Sequence, residues 1–523
     1  VLVHKPSKKL LLNLTDPERI TAIVPGSKLV NIKGHDIVSV NHDQDTVRVL
    51  RNMGIKAPGP ITAHYEWSGM YKPFTHQLET SEFATLNPRC FILNDMGLGK
   101  TLSVLWAYDY LRKIGQVDWC LVISPLSTLE RVWADEVFRH FPDMSFGVVH
   151  GTAERRLKVA KDNYDVFILN HDGAKIKRLI DVFHNKPGKG LVIIDEIAVM
   201  RTAGTDRWKS LNSLINGNAK LGIKPIEWVW AMTGTPIPNA PTDAYAQCKL
   251  ITPGTAPKFF GAFRDATMRQ VTQFKWVPRE DALDTVYRHM QPSIRFKREE
   301  CLDLPPTTYT SRSVEFTDEQ KKVYKDMLNN FKADYAGGQV TAANEAVKLG
   351  RLVQIGLGVT YGADGEDIII PAKPRIDAIL EIIEQAGAKV IVFVPFIGAL
   401  KATAEALAKH YTVSVVYGAV QKRQRDDIFH DFSQPAGARV LVAHPACMAH
   451  GLTLTAADTI CWMAPHTSSE IVLQANARIA RPGQKLKTLI VTLLGSEVEK
   501  RIHERLLKRE SAQGVLLSMF ESS

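Results

Sequence analysis

The chain has 523 residues, with 65 Lys+Arg against 55 Asp+Glu, a formal net charge of +10 and a pI near 9.1. Hydrophobic residues at 45% and charged residues at 23% are the usage of an ordinary globular chain, which excludes collagen, coiled-coil and disordered classes. No apolar run reaches the ~18 residues a membrane helix needs. The basic excess permits a polyanionic partner without specifying one.

Residues 1–65 read as a small unit punctuated by Pro25-Gly26 and Pro58-Gly59-Pro60. A strand is predicted over Ile37–Val40 and a short helix over Asp45–Met53. The first residues lack a signal peptide's apolar stretch and cleavage site. From residue 66 to 255, short apolar runs alternate with helical patterns: Phe91–Leu93, Cys120–Ile123, Val166–Leu169, Leu191–Ile194 and Trp228–Met232. Unbroken apolar runs of this kind read as strands buried on both faces of a parallel sheet. Leu102, Leu105, Trp106 and Tyr110 fall on one helical face between two of them.

Residues 256–374 are less regular and read as mostly helical. Thr317 and Gln320 form a predicted capping box, after which Val323, Tyr324, Met327, Leu328 and Phe331 line one face. Ala336-Gly337-Gly338 reads as a loop. Residues 375–523 repeat the first texture, with strands predicted at Val390–Val394, Val413–Val416, Val440–Ala443, Thr459–Trp462 and Leu489–Leu494. The fold class is therefore α/β: two parallel-sheet domains, helical insertions and a small α+β N-terminal unit. The six cysteines include no C-x-x-C pair, so neither a zinc site nor a disulfide framework is expected, and a reducing compartment fits.

The strongest chemical signal is FILNDMGLGKT, residues 91–101. An apolar strand enters a glycine loop, Asp95, Met96, Gly97, Leu98 and Gly99, and a helix starts at Lys100-Thr101. Backbone N–H groups in such a loop cradle phosphates. Lys100 would reach the β/γ-phosphates of ATP and Thr101 would hold Mg²⁺. Asn94 stands where the generic pattern has glycine. LVIIDEIA, residues 191–198, places Asp195 to engage Mg²⁺ and Glu196 to orient or deprotonate the attacking water. MTGTPIPN (232–239) is a turn after another apolar strand. QANARIARPGQ (474–484) puts Arg478 and Arg481 three apart, so that a helix would point both one way.

In order and spacing, DMGLGKT, DEIA, TGTP and QANARIARPGQ resemble motifs I, II, III and VI of superfamily 2 helicases. More narrowly, they resemble the Snf-type branch of double-stranded DNA translocases. Other segments fit: KPFTHQ (72–77), LVISPLSTLERVW (121–133), ILNHDG (168–173), REECLDLPP (298–306), KVIVFVPF (389–396) and HGLTLTAAD (450–458). Gly418, Arg425 and Phe432 keep that branch's G-x6-R-x6-F spacing.

The resemblance implies two RecA-like lobes, residues 66–255 and 375–523, joined through 256–374. Gln77 would read adenine, Gly451 would join the nucleotide-contacting set, and Arg478 and Arg481 would serve as arginine fingers. Ser124, Ser127, Asn170 and Thr453 would contact DNA phosphates. Lys422, Arg423, Lys485 and Lys487 would add charge or lie in solvated loops, and Trp462 would pack in the core or stack on a base. The implied activity is DNA-dependent ATP hydrolysis that drives movement along duplex or forked DNA. The rivals are a strand-separating helicase and an ATP-gated subunit of a recombination or defence complex. The expected setting is a monomeric motor with replication or recombination partners and no membrane, cytoplasmic in a prokaryote or phage-infected cell, nuclear in a eukaryote. Residues 1–65 loosely resemble the accessory module of annealing helicases; a structural cap on the first lobe is the alternative. Two departures stand out. Ala198 lacks the polar side chain that usually closes motif II, and His450 replaces a frequent glycine.

Overall fold

A computed structural model describes residues 1–520 except 33–34, 274, 303, 331, 336–337, 342–344, 363–365, 449–452 and 482. The chain divides into two units, Val1–Cys301 with Gln513–Ser523, and Leu302–Ala512.

The first unit opens with strands β1 (Leu2–His4), β2 (Lys9–Leu12), β3 (Lys28–Ile32) and β4 (His35–Asn41) in an antiparallel sheet of order β1-β2-β4-β3. Alternation sends Leu10, Leu12, Val38 and Val40 inward. The helix Gln44–Asn52 closes this core with Val47 and Leu50, and Asp43 caps it by accepting the Thr46 N–H at 2.8 Å. Leu86, from the helix Thr75–Leu86, joins the same cluster.

The main sheet of this unit takes β5 (Arg89–Ile92), β6 (Trp119–Ser124), β7 (Phe146–Val149), β8 (Val166–Asn170), β9 (Gly190–Asp195) and β10 (Trp228–Met232). A hairpin of β11 (Met268–Thr272) and β12 (Lys275–Pro278) follows, and β13 (Ser293–Ile294) then completes the sheet. Its seven parallel strands run in the order β13-β5-β10-β9-β6-β8-β7. The five apolar runs are strands, as expected, and four of the β9 residues and all of β10 are buried. The helix Lys100–Lys113 departs from the one-faced expectation, because Leu102 through Leu111 are all buried. One side meets the sheet. The other is covered by residues 61–84, through Trp106 Nε1 donating to Ser68 O at 2.7 Å, Tyr65 OH to Asp109 at 2.6 Å and Ser81 Oγ to Ser103 O at 2.8 Å. The end of the C-terminal helix Glu497–Met519 adds Leu516 and Leu517 to this unit's core, with Phe520 beyond it.

The second unit contains β14 (Thr307–Ser313), hairpins β15 (Lys332–Tyr335)–β16 (Gly338–Thr341) and β17 (Val359–Tyr361)–β18 (Asp367–Ile369), then β19 (Lys389–Phe393), β20 (Val413–Val416), β21 (Val440–Ala443), β22 (Ala457–Trp462) and β23 (Thr488–Leu494). Six parallel strands run β14-β23-β22-β19-β21-β20. All five strands predicted over 375–523 are present.

Residues 256–374 are not mostly helical. Three hairpins interrupt the helices, and β13 and β14 become edge strands of the two sheets. A two-residue strand and the polar Thr307–Ser313 carry too little apolar pattern to read as sheet, and pairing alone makes them strands. The capping box is as predicted. Thr317 N–H donates to Gln320 Oε1 at 3.1 Å, and Gln320 N–H to Thr317 Oγ1 at 3.2 Å. Val323 and Met327 are buried beneath it, whereas Leu328 is exposed. Phe331 and Ala336-Gly337 lie outside the described residues, and Gly338 begins β16. Among the described residues no helix is long and apolar enough to cross a membrane.

Candidate functional site

The predicted nucleotide residues of the first unit gather at the C-terminal ends of β5, β9 and β10, where ligands bind in open α/β sheets. After β5 the chain turns through Gly97 and Gly99, both at positive φ (87° and 71°). The positive φ of Gly99 favours glycine, and a Cβ there would lie 2.1 Å from the Gln77 amide nitrogen and push that side chain aside. Gly99 caps the helix Lys100–Lys113 without a side-chain hydrogen bond, which leaves the first-turn N–H groups to an outside acceptor. Thr101, in that first turn, is half-buried.

Lys100 is turned into this loop. Its Nζ donates to Asn94 O at 2.8 Å and to Asp95 O at 3.2 Å. Burial lowers the Lys100 pKa, opposed by the charges of Glu196, Asp195 and Asp95. Burial likewise raises that of Asp195, opposed by Lys100 and by hydrogen bonds from Trp133 and the Glu196 N–H. A cation and carboxylates that desolvation disfavours singly are thus held within each other's field, as a site that handles highly charged substrate requires.

Asp195 ends β9. Its carboxylate accepts from Trp133 Nε1 at 3.2 Å and from the Glu196 N–H at 3.1 Å, while its carbonyl accepts from His171 Nε2 at 2.8 Å. Burial pushes the His171 pKa down to about 4, so the ring is neutral with its proton on Nε2. Glu196 has φ 50° and ψ 55°, a left-handed backbone that costs a non-glycine residue about 1–2 kcal/mol. Thr233 Oγ1 donates to Glu196 Oε2 at 3.2 Å and accepts from the Thr235 N–H at 3.0 Å. The turn after β10 is therefore linked to motif II through Glu196, and the buried Ala198 takes no side-chain part in that link. The same turn is held by Gln513, which accepts from the Ile237 N–H at 3.2 Å, and by Gln247, which donates to Pro236 O at 2.6 Å.

Gln77 is buried; its Oε1 accepts from the Phe74 N–H at 2.9 Å and its Nε2 donates to Leu98 O at 3.4 Å. It braces the loop beside His76, whose Nε2 donates to the same carbonyl at 3.0 Å. Asn94, the departure from glycine, is 1% exposed; it donates to Thr80 Oγ1 at 2.8 Å and accepts from the Phe296 N–H at 3.0 Å. Sequence reasoning gives no individual role to Trp133, His171, Thr233 or Asn94. Trp133, His171 and Thr233 do lie inside the segments matched to helicase motifs, and that is the signal that points to them.

The predicted phosphate contacts fall in different surroundings. Ser124 is fully buried at the end of β6, and Asn170, also buried, accepts from Arg156 Nη1 at 3.0 Å. Ser127 and Thr453 are exposed. In the second unit the helix Ser469–Asn476 ends before both arginines, so they do not share a helical face. Arg478 and Arg481 follow it in a turn, because Pro482 disfavours helix at the residue before it and Gly483 adopts φ 98°. Arg478 is 3% exposed; Arg481 donates through Nε to Ala477 O at 3.0 Å and through Nη1 to Thr453 Oγ1 at 3.3 Å. Gly451 and His450 lie outside the described residues. Trp462 is in the core, with Nε1 donating to Asn476 Oδ1 at 2.9 Å.

A glycine loop runs from a buried parallel strand into an uncapped helix and faces an Asp-Glu pair at the end of β9, the next strand but one, which is a P-loop-type arrangement. The chain belongs to the SNF2-related domain family, which matches residues 47–354, and a helicase conserved C-terminal domain matches residues 374–483. Both matches are to the family that the motif order resembled.

Chromodomain-helicase-DNA-binding protein 7 of Gallus gallus is 26% identical over 472 residues, covering 82% of this chain and 15% of that protein. The human DNA annealing helicase and endonuclease ZRANB3 is 24% identical over 421 residues, covering 76% and 36%. Putative protein p41 of Acyrthosiphon pisum secondary endosymbiont phage 1 is 24% identical over 375 residues, covering 69% and 77%. The chain thus spans well under half the length of the first two relatives. The Sulfolobus solfataricus SWI2/SNF2 ATPase core in complex with dsDNA is 21% identical, with a TM-score of 0.42, covering 87% of this chain and 95% of that one.

Proposed function

We propose that the chain is a DNA-dependent ATPase that hydrolyses ATP to move along duplex or branched DNA, remodelling it or displacing bound proteins. The observation that carries the reading is the meeting of Lys100, Asp195 and Glu196 at the strand ends beside an uncapped helix. Lys100 exchanges two neutral carbonyls for the β/γ-phosphates, a stronger, charge-assisted pairing. Glu196, fixed by its backbone and by Thr233, orients the attacking water. Trp133 and His171 hold Asp195 in place.

The donors fit Mg²⁺. Thr101 and Asp195 offer hard oxygens, and among the described residues no group of three or more His, Cys, Asp or Glu forms a metal cage. Mg²⁺ keeps its waters and takes one or two protein oxygens beside substrate phosphates. When bound it would neutralise charge on the β- and γ-phosphate oxygens. Arg478 and Arg481 are proposed as the arginine fingers, and Ser127 and Thr453 as phosphate contacts that grip DNA without reading sequence.

The test is steady-state ATPase activity with no nucleic acid, single-stranded, duplex and forked DNA, and RNA, with Lys100→Ala as the control. Strong stimulation by duplex or forked DNA, lost in the control, is the expected result. No stimulation by any DNA overturns the proposal, and efficient unwinding of a blunt duplex would replace translocase with helicase.

A further inference from the structure

The glycine loop is tied to the segment that leads out of the first unit. Beside β5, the strand β13 continues a backbone ladder in which Phe91, Leu93 and Asp95 N–H groups donate to Pro292, Ile294 and Phe296 carbonyls at 3.0, 2.8 and 3.0 Å. Beyond Ile294, side chains of the loop take over as acceptors. Asn94 Oδ1 accepts from the Phe296 N–H at 3.0 Å, and Asp95 Oδ2 from the Arg298 N–H at 3.0 Å. Arg295 closes the clasp with Nη2 on Asp95 Oδ1 at 2.9 Å and Nη1 donating to Leu93 O at 2.7 Å, its side chain only 6% exposed.

The main-chain carbonyls of the same two residues, Asn94 and Asp95, receive Lys100 Nζ. One dipeptide thus carries the phosphate-seeking lysine on its carbonyls and residues 295–298 on its side chains. Neutral carbonyls are weaker hydrogen-bond partners for an ammonium than the oxygens of a triphosphate, so a bound triphosphate would draw Lys100 Nζ away from them. When Lys100 leaves, both carbonyls lose a donor, and the dipeptide must re-pair while its side chains still grip Phe296, Arg298 and Arg295.

We propose that Asn94, Asp95 and Arg295 are positioning residues that convert nucleotide occupancy at Lys100 into a change in Arg295–Arg298, the segment just before the chain leaves the first unit at Cys301. The proposal rests on the nucleotide reading of the loop. It also gives Asn94 a reason to replace glycine, since glycine would leave the Phe296 N–H without this acceptor.

The experiment is hydrogen exchange on the full chain with and without ATPγS and Mg²⁺, resolved to the Phe296 and Arg298 amides by fragmentation of peptides across 291–301. Fluorescent-nucleotide titration of the same samples runs alongside. Nucleotide is expected to change exchange at both amides about tenfold or more. In Arg295→Gln the response falls below about twofold while nucleotide affinity stays within about threefold, and Arg295→Lys restores part of it. A wild-type chain that binds nucleotide with less than about a twofold change at both amides overturns the relay. So does an Arg295→Gln chain that responds like wild type. Absence of nucleotide binding in the titration removes the nucleotide reading and the relay together. The wild-type measurement decides even where the variant fails to fold.

Discussion

The two parallel sheets share a winding order and differ at one strand. The order β5-β10-β9-β6-β8-β7 of the first sheet is matched, strand for strand, by β14-β23-β22-β19-β21-β20 of the second. In each the first strand of the set lies beside the last, and a helix follows it. After β5 that helix starts at a bare glycine, with backbone N–H groups open. After β14 the helix Asp318–Asn330 starts with its N–H groups engaged by Thr317 and Gln320, and with Asp318 and Glu319 in its first turn. A self-capped, acidic helix start repels phosphate where an uncapped one attracts it. The scaffold recurs and the chemistry does not, because function lies in the loop grafted at the strand end.

Two cations make the same contrast. Lys100 rests on two carbonyls. Arg375, 1% exposed, is paired with the fully buried Glu499 at 3.0 Å and also donates to Met463 O. One can change partners and the other is locked, and substitutions separate the two roles.

The largest effect is expected at the first site. Lys100→Ala lowers kcat by at least about 10³-fold, with the chain still folded by denaturant titration, because Lys100 rests on loop carbonyls and not in core packing. Equal loss of stability and activity would make Lys100 a structural residue. Arg481→Ala lowers kcat by about 10³-fold or more while ATP binding by titration is retained; an unchanged kcat removes it as a finger.

Glu499→Ala leaves the Arg375 guanidinium buried and unpaired, which costs about 3–5 kcal/mol, read as a drop in denaturation midpoint of the second unit. A loss under about 1 kcal/mol would show that Met463 O and water suffice. His171→Ala removes the donor to the Asp195 carbonyl. With Asp195 proposed to engage Mg²⁺, a fall in kcat of about 10-fold is expected from the loss of a group that orients it, with ATP affinity nearly unchanged.

The smallest effect concerns Glu510, on the C-terminal helix, whose carboxyl burial raises to a pKa of about 7. The folded state then binds the proton more tightly than the unfolded chain. Its contribution to stability is full below the unfolded value near 4.5 and is lost as pH rises through about 7. After discounting for partial exposure, Glu510→Gln should stabilise by about 1–2 kcal/mol near pH ~8 and be neutral near pH ~4. A gain equal at both pH values would refute the titration.

Much of this molecule is legible along the chain. Ten strands of the two main sheets stand out, nine of them because strands covered on both faces need unbroken apolar runs, while β20, partly exposed at a sheet edge, stands out by its valines. β7, at a sheet edge with alternate residues buried, lacks such a run and is not among them. The glycine loop and the Asp-Glu pair stand out because phosphate and metal chemistry admits few residue types at few spacings. The box at Thr317 does so because it is a local exchange of two hydrogen bonds. The remainder depends on what folding brings alongside. β13 and β14 are strands because a partner's backbone is there to pair with. The helix after the loop is buried all round because residues 61–84 cover its outer face. Arg478 and Arg481 lie outside the helix because it stops at Asn476, and Gly483 just beyond them adopts a positive φ that no helix takes. Trp133, His171 and Thr233 join the site, and Arg295 reaches the residues before the glycine loop, through contacts between residues 24 to 202 positions apart. No pattern along the chain encodes a proximity that only folding creates.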